Sequence, residues 1–135
     1  MSLYGKRLRQ IATVCRERGI TVIFASQPEF FFEAGLNELS TLNQAAVDAM
    51  SARLIADQSL FIAELEFYLQ SRLNLEAQRT AAELGTPFFD GATVLQSHKQ
   101  GHFVDQIHPN ERGAERIATA LAAFLEPMVR RVDRR

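Results

Sequence analysis

The run 103–113, Phe-Val-Asp-Gln-Ile-His-Pro-Asn-Glu-Arg-Gly, sets a carboxylate, Asp105, and an imidazole, His108, three residues apart. That is one way to build the base half of a hydrolase: a carboxylate so placed can accept the Nδ1 proton of the ring and leave Nε2 free to take a proton from a nucleophile. Spacing alone does not hold such a pair together, so the flanking residues have to. Pro109 pushes His108 out of the helical region, Asn110 is a good helix N-cap, and Ile117, Leu121, Phe124 and Leu125 then recur at helical spacing. The pair is therefore expected on a fixed turn at the mouth of a C-terminal helix. The plain alternative is a turn in which Asp105 bonds local amides and His108 only packs, and the spacing together with Pro-Asn favours the acid-base pair. For Asn110 itself, the capping role outweighs any contact with substrate.

The elements that must carry this turn follow from periodicity. Over residues 4–18, Leu8, Ile11, Ala12 and Cys15 recur at three and four residues and Gly19 stops the pattern, which predicts a first helix. Residues 20–25, Ile-Thr-Val-Ile-Phe-Ala, form a short β-branched and apolar run ending before Pro28, read as a strand buried on both faces and hence part of a parallel sheet. Residues 29–43 lack a clean period and read as a loop with room for a helical turn. A long helical pattern from 44 to 84 passes through Val47, Met50, Leu54, Leu60, Leu65, Leu69 and Leu73, as two helices or one bent helix, with no Gly or Pro at the break. Gly85 ends it, residues 87–90 read as a second strand, 91–104 as a polar loop, and a last helix runs from 111 to 131. This order is that of an α/β protein with a parallel sheet, here helix-rich with about two short strands. Two strands leave bare edges, so a partial sheet is expected.

Composition narrows the function. The 135 residues, 47% hydrophobic and 23% charged with a net charge of −1, fit one domain and supply no global field for nucleic acid. A small or neutral partner is expected. One cysteine, Cys15, excludes an internal disulfide and falls within a helical pattern, as an inert thiol. No apolar run approaches the ~20 residues that span a bilayer. Residues 1–3 read as an expression leader, 4–131 as the α/β domain and 132–135 as a basic tail; the compartment is left open.

These residues resemble the SGNH, or GDSL-type, hydrolases, three-layer α/β/α proteins of flavodoxin-like fold that include esterases, lipases and carbohydrate deacetylases. The family's closing block has Asp-x-x-His before Pro-Asn and a helix, as do Asp105, His108, Pro109 and Asn110. Residues 21–28 resemble its fourth strand and 86–90 its fifth. The resemblance implies a serine that attacks an ester or amide carbonyl, with His108 taking and returning the proton, Asp105 orienting the ring, a small ester or acylated substrate, and no cofactor or metal. Three family blocks have no counterpart here: the Gly-Asp-Ser-like nucleophile block and the glycine and asparagine blocks of the oxyanion hole. Residues 4–18 resemble the helix after the last of these. The resemblance thus implies the C-terminal part of a larger domain, inactive alone. Ser26, at a strand end, is a remote candidate nucleophile among Ser40, Ser51, Ser59, Ser71 and Ser97.

Other groups carry weaker expectations. Phe30, Phe31 and Phe32 are candidates for a substrate lip, with packing the stronger reading. His98, His102, Asp105 and His108 have zinc-ligand chemistry but lack the spacing of a zinc helix, so no metal site is assigned. Arg130, Arg131, Arg134 and Arg135 read as a solvated helix end that complements the dipole. The residues between 60 and 69 are apolar on more than one helix face. With the bare strand edge, this leads us to expect a homo-oligomer, a symmetric dimer that covers the edge; a non-catalytic interaction module is the alternative function.

Overall fold

A computed structural model describes residues 2–31, 34–96 and 101–132. In chain order these form α1 (Leu3–Glu17), β1 (Phe24–Ala25), α2 (Ala34–Asn37), α3 (Gln44–Ile55), α4 (Ile62–Leu84), β2 (Phe88–Phe89), α5 (Gly91–Val94) and α6 (Glu111–Val132). The protein is α/β, helix-rich, with two short parallel strands in register Phe24↔Phe88 and Ala25↔Phe89.

Alternation along the strands divides the side chains between two faces. Phe24 and Phe88 point to the side where Ala12 of α1 and Ala81 of α4 close a small core. Phe89 points the other way and meets Phe124 of α6, ring centroids 5.4 Å apart. A second, larger cluster lies where α2, α3 and α4 converge, around Phe31, Val47, Met50 and Phe67, with the Phe31 and Phe67 rings edge to face at 5.3 Å.

Several elements differ from the sequence expectation. The first strand is only Phe24–Ala25 and is not buried on both faces: Phe24 is buried, whereas Ala25 and Ile20 are exposed. The described helices cover the Phe24 face of β1 and reach its opposite face only at Phe89 of the neighbouring strand. The polar loop expected at 91–104 begins instead with α5, whose Gly91 and Ala92, and Leu95 just beyond it, are buried. Its N-cap is Asp90, whose Oδ1 accepts from Thr93 N at 3.1 Å, so a turn that lacks helical periodicity is helical because of its cap.

The long pattern is two helices. The break falls at Asp57, with φ of 58°, a conformation that Asp tolerates better than most residues, and so it needs neither Gly nor Pro. Arg53 near the end of α3 grips Glu64 in the first turn of α4 through both nitrogens, at 2.5 and 3.2 Å, and also donates to Ser59 O at 3.1 Å. Glu64 Oε2 in turn accepts from Phe61 N at 2.8 Å. These bonds fix the hairpin with Ile55, Phe61 and Ile62 facing outward. Gly85 ends α4 in the left-handed conformation, φ 60°, as its position after the last apolar residue predicts. Ser2 caps α1 by accepting from Gly5 N at 3.0 Å, so the helix starts, with its cap and Leu3, inside the segment read as a leader. No described helix is long and apolar enough to cross a membrane.

Candidate functional site

Residues 101–110 form a narrow loop closed on itself before α6. Phe103 and Pro109 make an antiparallel bridge, Val104 N donates to His108 O at 2.8 Å, and Asn110 N donates to His102 O at 3.0 Å. Asn110 then performs two tasks. Its Oδ1 accepts from Gly113 N at 3.1 Å, capping α6, and its Nδ2 donates to Gly101 O at 2.8 Å, which holds the start of the loop. Gly113 permits the closure, because a Cβ there would overlap the carbonyl oxygen of His102.

Inside the loop the predicted pair is formed. His108 Nδ1 lies 2.7 Å from Asp105 Oδ2. The other carboxylate oxygen, Oδ1, accepts from the backbone N–H groups of Ile107 at 2.9 Å and His108 at 2.8 Å. The bond to the His108 ring, followed by those two amides, lowers the Asp105 pKa to about 2. An ionised Asp105 selects the tautomer with the proton on Nδ1 and presents Nε2 as a base. Both side chains are open to water, His108 at 69% and Asp105 at 52% exposure, and among the described residues Nε2 makes no hydrogen bond.

The loop is hung on the rest of the fold at residues that sequence reasoning passed over. Gln106 O accepts from Phe30 N at 2.8 Å, and Gln106 Nε2 donates to Glu66 Oε2 on α4 at 3.0 Å. The Phe30 and Phe103 rings stack with centroids 6.1 Å apart. The segment carrying Phe30 is itself pinned by Asn74, buried on α4. Asn74 Oδ1 accepts from Gln27 N at 3.0 Å, and its Nδ2 donates to Gln27 O at 3.1 Å and to Thr41 Oγ1 at 2.9 Å. An asparagine inside a run of apolar helix positions was the available signal for Asn74; Gln106 and Glu66 gave none.

The other candidates separate. Phe30 is half-buried beside the loop, whereas Phe31 is fully buried in the α2–α4 cluster and presents no surface to a substrate, which corrects its reading as part of a lip. Phe32 lies outside the described residues, as do His98, Ser97, Arg134 and Arg135. Among the described residues no three His, Cys, Asp or Glu side chains are grouped to hold a metal ion. Ser26 is buried and committed: its Oγ donates to Asp90 Oδ1 at 2.9 Å and accepts from Ala92 N at 3.0 Å, joining the C-terminal ends of the two strands. It is a clasp rather than a nucleophile poised on His108. Family models, curated proteins and solved structures yield no match to this chain. The geometry itself is an imidazole held by a carboxylate on one exposed, tethered turn, with Nε2 open to a proton donor.

Proposed function

We propose that the chain supplies the acid-base half of a serine-type ester or acyl hydrolase of the SGNH kind. The observation that carries this reading is the 2.7 Å contact between His108 Nδ1 and Asp105 Oδ2, with Nε2 facing outward. In the proposed reaction a serine hydroxyl attacks the carbonyl of a small ester or acylated substrate. His108 takes its proton at Nε2 and returns it to the leaving group, and Asp105 holds the ring and stabilises the imidazolium. Helices on both sides of a parallel pair of strands, with the pair at the loop before the last helix, agree with the three-layer flavodoxin-like arrangement of that family. The reading assigns the nucleophile and the oxyanion donors to polypeptide beyond the residues described. Without those donors a loss of ~100- to 1,000-fold is expected before the missing nucleophile is counted.

The test is hydrolysis of p-nitrophenyl acetate by this chain, and by the chain expressed with any coding sequence preceding it in frame, each with and without His108→Ala. Background rates from the chain alone and His108-dependent turnover from the longer protein are expected. Turnover that survives His108→Ala, or none in the longer protein, refutes the proposal. A His108-dependent rate from the chain alone would refute the assignment of the nucleophile elsewhere.

A second reading, a non-catalytic interaction module, is favoured by the outward Ile55, Phe61 and Ile62 of the α3–α4 hairpin, 86%, 76% and 79% exposed, and by an edge of β1 that no strand among the described residues pairs with. In it a second copy covers these surfaces and the Asp105–His108 turn is only structural. Sedimentation at micromolar concentration separates the cases, a monodisperse monomer being the result that removes it.

A further inference from the structure

The first helix differs in charge from the rest of the chain. Residues 3–18 hold five Lys and Arg against one acid, Glu17, a charge of +4 in a chain whose net charge is −1, so the remainder sums to −5. Such asymmetry bears on partners rather than on fold. Two of the five cations serve the packing of the helix. Arg9 faces Glu76 and pairs with Glu83 on α4, and Arg16 donates to Leu84 O at 3.2 Å. Lys6, Arg7 and Arg18 do not. Among the described residues none of these three meets a carboxylate; Arg7 donates to the neutral Gln10 Oε1 at 3.0 Å and Arg18 to Val14 O at 3.1 Å.

The free cations share a face with apolar side chains. The helix packs inward through Gly5, Leu8 and Ala12. Its outer side presents Leu3, Arg7, Ile11, Val14 and Arg18 at steps of four, four, three and four residues, one ridge about 22 Å long at the rise of a helix. Leu3, Ile11 and Val14 are 71%, 53% and 47% exposed. Lys6 and Glu17 flank the ridge on one side and balance in charge, which leaves Arg7 and Arg18 in excess. Exposed aliphatics alone, or cations alone, would be an ordinary surface, but here they alternate along one line.

The excess charge selects an anionic partner, and the form of the face selects its kind. A protein partner needs on the order of 800 Å² of matching surface on each side, whereas this ridge is one helix wide. A single-stranded nucleic acid stacks its bases on aromatic rings, and the ridge has none. A plane of anionic headgroups needs neither: it takes cations at its own level and short aliphatic side chains just beneath. We propose that α1 lays this ridge on the surface of an anionic bilayer, with Arg7 and Arg18 among the headgroups and Leu3, Ile11 and Val14 in the interface. The contact is peripheral and reversible, and the acidic remainder of the chain, repelled by the same surface, orients the molecule with α1 towards the lipid. No residue of the Asp105–His108 loop takes part, so the proposal stands or falls apart from the hydrolase reading.

Cosedimentation with vesicles tests it, one set of phosphatidylcholine alone and one with about one-third phosphatidylglycerol. Half-saturation on the order of 0.1–1 mM lipid is expected with the anionic vesicles, the strength of a single weak anchor, and no binding to phosphatidylcholine. Added salt should release the protein. Arg7→Gln and Arg18→Gln should each weaken binding about fivefold, and Arg7→Lys should not. Ile11→Gln should weaken it by a similar factor with the charge unchanged. Arg112→Gln combined with Arg116→Gln, which removes two exposed cations of α6, should leave it unaltered. Circular dichroism confirms that each variant is folded, and polyglutamate and a DNA duplex serve as the competing polyanions. No binding, equal binding to both vesicle sets, indifference to Arg7→Gln or to Ile11→Gln, an equal loss in the α6 variant, or tighter binding to either polyanion overturns the proposal.

Discussion

Replacing Gly113 by alanine tests the closure of the candidate site through the sign of its effect. Gly113 lies in the first turn of α6, where Gly→Ala ordinarily stabilises a helix by about 0.5–1 kcal/mol. Here the added methyl would overlap His102 O and lie 3.1 Å from Pro109 Cβ, and the His102 carbonyl is the acceptor of Asn110 N. Relieving the overlap moves that carbonyl away, which loses a hydrogen bond of about 0.5–1.5 kcal/mol and adds roughly 1–3 kcal/mol of overpacking. The difference is a destabilisation of about 0.5–4 kcal/mol, opposite in sign to propensity alone. Urea unfolding followed by far-ultraviolet circular dichroism measures it. In parallel, the ¹⁵N–¹H spectrum should show shifts at residues 101–110 on both sides of the pair. A Gly113→Ala protein as stable as the parent or more so would refute the close approach of helix and loop, and with it the geometric account of the turn.

Three other outcomes follow from the same structure. The Asp105 carboxyl should titrate near pH 2 in a ¹³C-detected experiment; its folded pKa lies below the ordinary 3.8, so its contribution to stability is complete above about pH 4 and is lost as the pH falls towards 2. A value near 3.8 would mean that the bond to His108 is not formed in solution. Ser26→Ala removes the clasp between the strand ends and leaves the buried Ala92 N–H without its partner, a loss of about 1–3 kcal/mol visible as a lowered urea midpoint; an unchanged midpoint counts against the clasp. Asn74→Leu takes both bonds from the Gln27 backbone and one from Thr41, and should cost about 2–4 kcal/mol, with spectral changes that reach Phe30 and Gln106; changes confined to α4 would show that the tether does not transmit.

What the sequence disclosed and what it hid follow the range of the interactions involved. The Asp105–His108 pair and the Asn110 cap are bonds across three residues, written in local spacing and turn chemistry, and they stand where the residues predict. Gly85 is local in the same way. The division of the helical run at Asp57 was not marked, because an aspartate in a left-handed conformation looks from the sequence like any solvated residue, and the Arg53–Glu64 grip spans eleven positions. The brevity of β1 was hidden for a different reason. Ile20 to Ala25 has strand composition throughout, but a strand extends only as far as a neighbour pairs with it, and β2 offers two residues. Phe31 and Phe30 are adjacent and chemically identical, yet one is core and the other lies against the loop, a distinction made by backbone anchors distant in sequence or unmarked in it: Gln106 O holds Phe30 N, and Asn37 holds both the N–H and the carbonyl of Phe31.

The same division of range bears on chemistry. A histidine 69% open to water works in a high dielectric, where neither its partner's charge nor a developing oxyanion is worth much. Asp105 is also a poor competitor for the proton, since three donors already satisfy it, so its contribution is the orientation of the ring more than proton transfer. A turn of this kind can therefore be prefabricated from a short stretch of sequence and still be inert. Its catalytic value depends on a surface that excludes water from Nε2 and delivers a hydroxyl to it, and such a surface requires long-range packing. On the hydrolase reading proposed above, the tethers at Phe30, Glu66 and Asn110 would keep the turn fixed ahead of that event, so that the entropy of arranging the base is already spent when a nucleophile arrives.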